Sequence, residues 1–305
     1  MDRASKLLCP FFVKLLFNMN DTVNNNKKTI LIKKASGQEE WFSVKKLEYS
    51  LRNAGADNAT INKIVNHITA WIYPGVTTKQ IYTLAFELLD REQNISATLY
   101  KLKQAIMELG PSGYPFERFI GQLLEMQGFK TEVGVIIEGN CVSHEVDVVA
   151  TRNHSQFLVE CKFSSDQGKN ISVQVPLYVH SRINDIIQKR QFMPQYENIS
   201  FSGWIVTNTR FSCDSLTYGK CSGLHLIGWD YPEGNGLKDM IEKVKIYPVT
   251  ILSSLTKKEK QYLIDNNIVI CRQLFEQFDI VKSMHMSHKK TNNLKKELHT
   301  ILNII

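Results

Sequence analysis

The spacing of hydrophobic and polar residues divides the chain into two regions near residue 110. In the first region, two short β-rich runs at 29–34 and 40–42 predict a small hairpin. Four stretches that follow carry apolar residues three or four positions apart, and they predict helices beginning near residues 44, 60, 78 and 96. The glycine- and proline-rich segment 110–113 then marks a boundary. We therefore expect an α+β domain over residues 29–110, built from a hairpin and a four-helix bundle.

Beyond residue 113, predicted strands and helices alternate. The helices cover about 115–127, 179–191 and 213–221, and the strands cover about 130–137, 142–150, 156–163, 203–208 and 224–229. This order predicts an α/β domain with a mixed central sheet over residues 113–235. We expect a C-terminal helical extension over 236–280 and a loose basic tail over 281–305. The asparagine-rich end of residues 1–28 predicts a flexible leader.

The composition excludes several classes of protein. A hydrophobic fraction of 43% over 305 residues is that of a globular protein and excludes disorder of the whole chain. No apolar stretch is long enough to cross a membrane. The six cysteines include no CxxC pair, which argues against a zinc ribbon or a disulfide framework and favours a reducing, cytoplasmic environment.

The net charge of +7 comes from the two ends of the chain. Residues 1–28 contribute +3 and residues 281–305 contribute +4, whereas the residues between them carry equal numbers of acidic and basic side chains. Basic ends can attract nucleic-acid phosphates through counterion release, or they can serve only to keep the chain soluble. The overall charge does not choose between these two roles.

An acid and a lysine stand two residues apart in an otherwise apolar predicted strand. Glu160 and Lys162 share a face, because alternate residues of a strand point the same way. A short connection to the preceding strand predicts a hairpin, which would bring Asp147 beside Glu160. On that preceding strand, we expect Val146 and Val148 to lie together on the face opposite Asp147.

Two carboxylates beside a lysine suit metal-assisted cleavage of phosphodiesters. Oxygen ligands from Asp147 and Glu160 suit Mg²⁺ or Mn²⁺, which would activate a bound water and neutralise charge on the phosphate. Lys162 would orient or deprotonate that water and stabilise the transition state. The open alternative is an ordinary ion pair on an exposed sheet face, where such pairs contribute little to stability.

The order of elements around these residues resembles the PD-(D/E)xK nuclease fold. The helix beginning Tyr114-Pro115-Phe116-Glu117, the strand bearing Asp147 and the strand ending Glu160-Cys161-Lys162 are most similar to those of Mrr-like restriction endonucleases. The resemblance covers about residues 113–231. It implies that Asp147, Glu160 and Lys162 form the catalytic core and that Glu117 is a supporting acid.

The first region resembles the ATP-cone, the regulatory nucleotide-binding domain of ribonucleotide reductases and their repressor. The resemblance rests on the segments 32–47, 75–81 and 100–103 and covers about residues 29–110. It implies a site for ATP or dATP formed by five side chains: Lys34, Lys46 and Thr78 near the phosphates, with Glu40 and Ser43 nearby. The alternative is that the lysines lie on a solvated helical surface.

Together these features predict a cytoplasmic, metal-dependent endonuclease that acts on DNA and is regulated by ATP or dATP. Cutting both strands of a duplex usually needs two active sites, so we expect a homo-oligomer. Replacing Asp147 or Glu160 with alanine is expected to abolish cleavage with little loss of fold. The alternative is a catalytically silent, nucleotide-responsive protein that binds nucleic acid or regulates it. A transcriptional repressor of the ATP-cone type is disfavoured, because the sequence contains no cysteine-rich zinc ribbon.

Overall fold

The computed structural model describes residues 30–34, 37–54, 56–92, 101–166 and 168–302. The predicted leader over residues 1–28 and the start of the helix predicted near residue 96 lie outside these ranges. Within them, the chain forms an α+β structure with a mixed central sheet. No helix among these residues is both long and apolar enough to cross a membrane.

The described part of the first region contains a small hairpin and three helices around a core of their own. The hairpin pairs β1 (Leu31–Lys33) with β2 (Glu39–Trp41) in antiparallel fashion. The helices are α1 (Val44–Asn53), α2 (Asn58–Trp71) and α3 (Thr78–Glu92). The predicted apolar stripe of α2 is buried in this core, which confirms the prediction for that helix.

The next helix, α4 (Leu102–Met107), packs differently from the prediction. Its Leu102 and Ile106 are buried in the core of the second region, and the Thr250 hydroxyl donates a hydrogen bond to the Ala105 carbonyl at 2.6 Å. In the described residues, α4 therefore contributes to the second core and not to a four-helix bundle in the first region. The spacing of apolar residues predicts that a helix has a buried face, but it does not identify the surface that this face contacts.

A five-stranded mixed sheet forms the centre of the second region. Its strands are ordered β3, β4, β5, β7 and β9, and they span Lys130–Glu138, Ser143–Arg152, Ser155–Lys162, Ser200–Thr207 and His225–Ile227. The first three strands are antiparallel, whereas β5, β7 and β9 run parallel. Two short strands, β6 (Asn170–Ile171) and β8 (Arg210–Phe211), pair with each other in parallel. The predicted mixed sheet is confirmed.

Helices cover both faces of this sheet. One face packs against α5 (Tyr114–Glu125) and the C-terminal helices, and the other packs against α6 (Gln174–Arg190) and α7 (Cys213–Ser222). Alternate residues of each strand enter the two layers. In β5, for example, Val159 is buried on the α5 side and Leu158 on the α6 side.

The C-terminal helices complete the core on the α5 side. They are α8 (Leu237–Val244), α9 (Lys257–Asp265), α10 (Cys271–Glu276), α11 (Ile280–Ser283) and α12 (His288–Ile301), with a turn of 3₁₀ helix at Val249–Ile251. Together with α4 and α5, these helices and the inward-facing residues of the sheet form one continuous hydrophobic cluster.

The prediction of a loose tail is wrong for residues 281–302. Leu294 and Leu298 of α12 are fully buried. The carboxylate of Glu297 accepts hydrogen bonds from the backbone amides of Ser253 at 2.7 Å and Ser254 at 3.0 Å. The lysines of this segment lie between its few apolar positions and obscure a narrow helical stripe, which only packing against a neighbouring surface makes stable.

Candidate active site

Glu160 and Lys162 lie side by side at the end of β5, as the period of a strand predicts. The Lys162 ammonium donates a hydrogen bond to Glu160 Oε1 at 2.6 Å. Val159 and Cys161, which alternate with them, are buried on the opposite face. The side chain of Glu160 is only 7% exposed. An ionised carboxylate at this depth needs several hydrogen-bond donors, and Lys162 is one of three.

The other two donors to Glu160 come from α6. The Tyr178 hydroxyl donates to Oε1 at 2.6 Å, and the Arg182 guanidinium donates to Oε2 at 2.8 Å. Arg182 also donates to the Tyr178 hydroxyl at 2.7 Å and to the backbone carbonyl of Glu145. Sequence reasoning missed both residues. Their spacing of four on a helix beside the sheet is the signal that could have identified them, because it lets two polar side chains reach one buried acid.

Asp147 lies beside Glu160 and Lys162 because the regular pairing of β4 with β5 stops next to it. The antiparallel register of β4 and β5 ends at the pair Val148 and Val159. One residue further on, the Asp147 carboxylate accepts a hydrogen bond from the Cys161 amide at 2.7 Å. The side chain thus takes the place of a strand carbonyl, and Asp147 lies directly beside the Glu160–Lys162 end of β5.

The same interruption changes which valines of β4 share a face. Val146 is buried on the α6 side and Val148 on the α5 side, so the prediction that they lie together is wrong. On the neighbouring strand β3, Gly134 adopts a left-handed conformation with φ of +66°, and the pairing of β3 with β4 skips this residue. Glycine reaches that conformation without steric cost. The pairing of β3 with β4 is therefore interrupted at Gly134, opposite the point where Asp147 leaves the regular hydrogen bonding of the sheet.

Four carboxylates, those of Glu117, Glu145, Asp147 and Glu160, interact electrostatically at this site. Burial, together with the charge of Glu160, raises the pKa of Asp147 to about 6. Burial, followed by the charges of Asp147, Glu145 and Glu160, raises the pKa of Glu117 to about 7. Glu117 stands in the first turn of α5, as predicted. The structure thus brings Glu117 within electrostatic reach of Asp147 and Glu160, although the three come from three different elements.

Lys162 and Tyr178 are held in their protonated forms. Burial by itself would lower the pKa of Lys162, but the hydrogen bond to Glu160 and the charge of that carboxylate outweigh burial and raise the pKa above its usual value. Burial and the hydrogen bond to Glu160 raise the pKa of Tyr178 as well. At neutral pH, Lys162 is therefore a cation and Tyr178 a neutral donor.

The carboxylates of Asp147 and Glu160 fit a hard divalent cation. A carboxylate has about four lone-pair positions, and Glu160 uses three of them for its donors, which leaves one on Oε2. Within the described part of the chain, Asp147 Oδ1 accepts no hydrogen bond. No group of three or more His, Cys, Asp or Glu side chains that could hold a metal occurs among these residues. Two carboxylates with water ligands suit Mg²⁺ or Mn²⁺ better than an ion that needs a complete protein cage.

Four of the five residues predicted to bind a nucleotide converge in the first region. Lys34 and Lys46 both contact Glu40 Oε2, at 2.7 Å and 3.2 Å. The Ser43 hydroxyl caps α1 by accepting a hydrogen bond from the Lys46 amide at 3.3 Å. Burial by itself would raise the pKa of Glu40, but the two lysines outweigh burial and lower it. Lys34 and Lys46 therefore meet at one carboxylate, although the Lys46 side chain is 72% exposed.

Thr78, the fifth residue, begins α3 beside the same hairpin. The Lys33 amide donates a hydrogen bond to the Val76 carbonyl at 2.9 Å, and Lys33 forms a parallel bridge with Thr77. The start of α3 is thereby attached to the strand that precedes Lys34. No hydrogen bond in the described residues joins the Thr78 side chain to the four residues around Glu40.

The chain is similar to one family model, one uncharacterized protein and one solved structure of unknown function. Residues 247–302 match the family model described as AF1548-like, C-terminal. An uncharacterized protein of Archaeoglobus fulgidus is 37% identical over 159 residues, which cover 51% of this chain and 83% of the relative. The crystal structure of AF1548, a protein of unknown function, superposes on this chain with a TM-score of 0.51 and 30% sequence identity. The match covers 63% of this chain and 100% of that one.

Proposed function

The chain belongs to the AF1548-like family, and we propose that it is a metal-dependent nuclease that hydrolyses phosphodiester bonds in DNA. The observation that carries the proposal is the buried Glu160, contacted by Lys162 on its own strand and adjoined by Asp147 at the break in the next strand. If Glu160 and Lys162 formed only an ion pair on an exposed sheet face, neither the burial of the glutamate nor a second acid beside it would be needed. Crowded acids with raised pKa values are concentrated at functional sites.

Each side chain of the site has a role in this reaction. Mg²⁺ or Mn²⁺, held by Asp147 and Glu160, would supply an activated water and neutralise charge on the phosphate. Lys162 is a cation, so it donates hydrogen bonds to the water or to a phosphate oxygen and does not act as the base. Glu117, with a pKa of about 7, is suited to accept a proton near neutral pH. Arg182 holds the Glu160 carboxylate in position.

We also propose that ATP or dATP binds the first region and regulates cleavage. The support is the convergence of Lys34 and Lys46 on one carboxylate, together with the resemblance of this region to the ATP-cone. Phosphates would compete with Glu40 for these lysines. α1 also contacts the second region, because the Tyr49 hydroxyl donates a hydrogen bond to Asp239 of α8 at 3.2 Å. A nucleotide that shifts α1 therefore has a route to the nuclease region or to its self-association.

The test is incubation of the purified protein with supercoiled plasmid in EDTA, Mg²⁺ or Mn²⁺, with and without ATP or dATP. We expect cleavage only with a metal, and we expect the nucleotide to change its rate. Glu138→Gln is the matched control for Glu160→Gln, because Glu138 lies on the same sheet but its side chain is 75% exposed and pairs, among the described residues, with Lys189 alone.

The outcomes separate the alternatives. Cleavage that resists Glu160→Gln would refute the assignment of the site. Binding of DNA without cleavage under any metal would instead indicate the catalytically silent, nucleic-acid-binding protein. Sedimentation with and without ATP tests whether the active form is a homo-oligomer.

A further inference from the structure

A second group of charged side chains lies where α4, β8 and α8 meet. Lys103 of α4 lies over the Trp229 ring, and Arg210 of β8 pairs with Asp230. The amide of Lys238 in α8 donates a hydrogen bond to the Trp229 carbonyl at 3.1 Å, and we call these three cations the basic cluster. None of them belongs to the nuclease site or to the nucleotide site described above.

One of the three cations of the basic cluster has no carboxylate partner among the described residues. Arg210 contacts Asp230 through Nη2 at 2.9 Å and Nε at 3.2 Å, which uses the fork of its guanidinium. Lys238 lies 3.7 Å from Glu242. Lys103 lies 5.4 Å from the centre of the Trp229 ring and forms no ion pair with any described residue. Arg210 and Lys238 thus each have a carboxylate partner, whereas Lys103 has none among the described residues.

The crowding has an electrostatic consequence. Burial is the largest cause that lowers the pKa of Lys103, and together with the charges of Arg210 and Lys238 it brings the pKa to about 8 despite the opposing charge of Asp230. A lysine that is partly desolvated among other cations is in an unfavourable state, which an added anion would relieve. Structural lysines usually avoid this state by reaching solvent. The arrangement therefore favours a negatively charged ligand.

The basic cluster also lies near the catalytic edge of the sheet. Lys162 pairs in register with Thr207, the last residue of β7, and Arg210 follows three residues later. The Trp229 amide donates a hydrogen bond to the Thr209 carbonyl at 2.8 Å. From the chain length and the spacing of strands, the Cα atoms of Lys162 and Arg210 lie within about 15 Å of each other. A DNA strand carries one phosphate per about 3.4 Å of axis, so this distance corresponds to a few nucleotides.

We infer that the basic cluster binds a backbone phosphate of the DNA strand that enters the active site, a few nucleotides from the bond to be cut. The inference rests on the proposed function, because DNA is its ligand. A free phosphate group, as in ATP or pyrophosphate, has the same chemistry. The position of Arg210 beside the catalytic edge favours the phosphate of a nucleic-acid strand. The contact carries no sequence information, because a phosphate is common to every nucleotide.

The experiment measures binding of a fluorescein-labelled 20-base-pair duplex by anisotropy in EDTA, from 50 to 300 mM KCl. The variant is Lys103→Met/Lys238→Gln, which removes both charges but keeps long side chains, and the control is Lys220→Gln, an exposed lysine of α7. We expect the double variant to weaken binding about tenfold at 100 mM salt and to reduce the slope of log Kd against log salt by about 1. Lys220→Gln should change neither quantity. Thermal melting checks that the variants fold.

Two outcomes would overturn the inference. One is a Kd and a salt slope of the folded double variant that equal those of the wild type. The other is loss of ATP or pyrophosphate binding, measured by calorimetry, with unchanged duplex binding, which would assign the cluster to a free phosphate compound. Failure of the proposed function is distinct from both: the wild type would bind DNA through the cluster in EDTA but would cut no plasmid with Mg²⁺ or Mn²⁺.

Discussion

The two regions of the molecule each contain a short lysine–glutamate contact, and the two contacts differ in their surroundings. Lys34 and Glu40 are 2.7 Å apart and equally exposed, at 24% each. Lys162 and Glu160 are 2.6 Å apart, but the glutamate is only 7% exposed. In the first region, the lysines lower the pKa of Glu40. In the second region, burial and the charges of nearby carboxylates raise the pKa values of Asp147 and Glu117 instead.

A short distance between a lysine and a glutamate therefore does not show whether a ligand can displace the glutamate. Glu40 can be displaced from its lysines by phosphate, because water can solvate the released carboxylate. Glu160 cannot be released in this way, because three donors depend on it and solvent is largely excluded. The first pair is therefore suited to a regulatory ligand, and the second to a rigid reaction centre.

The largest expected effect comes from Glu160→Gln, which removes the charge but keeps the shape. Plasmid cleavage should fall by at least about 10³-fold, because the metal loses a ligand and Lys162 loses its counter-charge. The matched variant Glu138→Gln should cut at the wild-type rate. A Glu160→Gln protein within tenfold of wild type would contradict the proposal.

Glu160→Ala is a less useful variant than the sequence suggested. It leaves Arg182 and Lys162 without their shared carboxylate, so we now expect it to destabilise the fold by about 2 kcal/mol, in contrast with the small loss expected from relieved repulsion. Urea denaturation of the alanine and glutamine variants side by side measures this difference.

A smaller effect is expected from Arg182→Met, which tests positioning. Cleavage should fall by about 10- to 100-fold, and the Mg²⁺ concentration for half-maximal rate should rise, because Glu160 loses the donor that orients it. The control is Lys189→Met on the same helix, whose partner Glu138 is exposed. An unchanged metal dependence with reduced stability alone would show that Arg182 is only structural.

The raised pKa values predict a pH dependence of stability in the absence of metal. In the folded state, the pKa is about 7 for Glu117 and about 6 for Asp147, against ordinary values of 4.5 and 3.8. Between the ordinary and the raised pKa values, these two acids bind more protons in the folded state than in the unfolded state. Their contribution to the free energy of unfolding should therefore fall as pH rises from about 4 to about 7. Glu117→Gln should reduce this fall by on the order of 1 kcal/mol after allowance for solvent screening. Denaturation in EDTA at pH 4.5 and 7.5 measures it, and an identical fall in the variant would contradict the prediction.

The smallest effect on stability is expected in the first region. Lys34→Gln/Lys46→Gln should change the free energy of unfolding by less than about 0.5 kcal/mol, because the contacts with Glu40 are partly exposed. The same variant should abolish ATP and dATP binding in calorimetry, whereas Lys45→Gln, an exposed neighbour on α1, should not. Wild-type protein that binds neither nucleotide at millimolar concentration would remove the regulatory half of the proposal.

Local patterns predicted much of the fold and one part of the site. The strands of the mixed sheet and the helices at 114–125 and 213–222 agree with prediction within a few residues, because hydrophobic periodicity and caps are local properties. The Glu160–Lys162 contact also follows from the two-residue period of a single strand. These features needed no knowledge of which elements meet.

Everything that depends on which elements meet was decided by tertiary structure. The sequence predicted an apolar face for the helix that contains α4 and only a loose tail for the residues of α12, and packing placed both helices in the second core, because burial is favourable on any complementary surface. The interrupted pairing at Asp147, the donors Tyr178 and Arg182, and the basic cluster each join residues from different elements. Their spacing along the chain bears no relation to their distance in space, since it is the close packing of helices on a twisted sheet that brings them together.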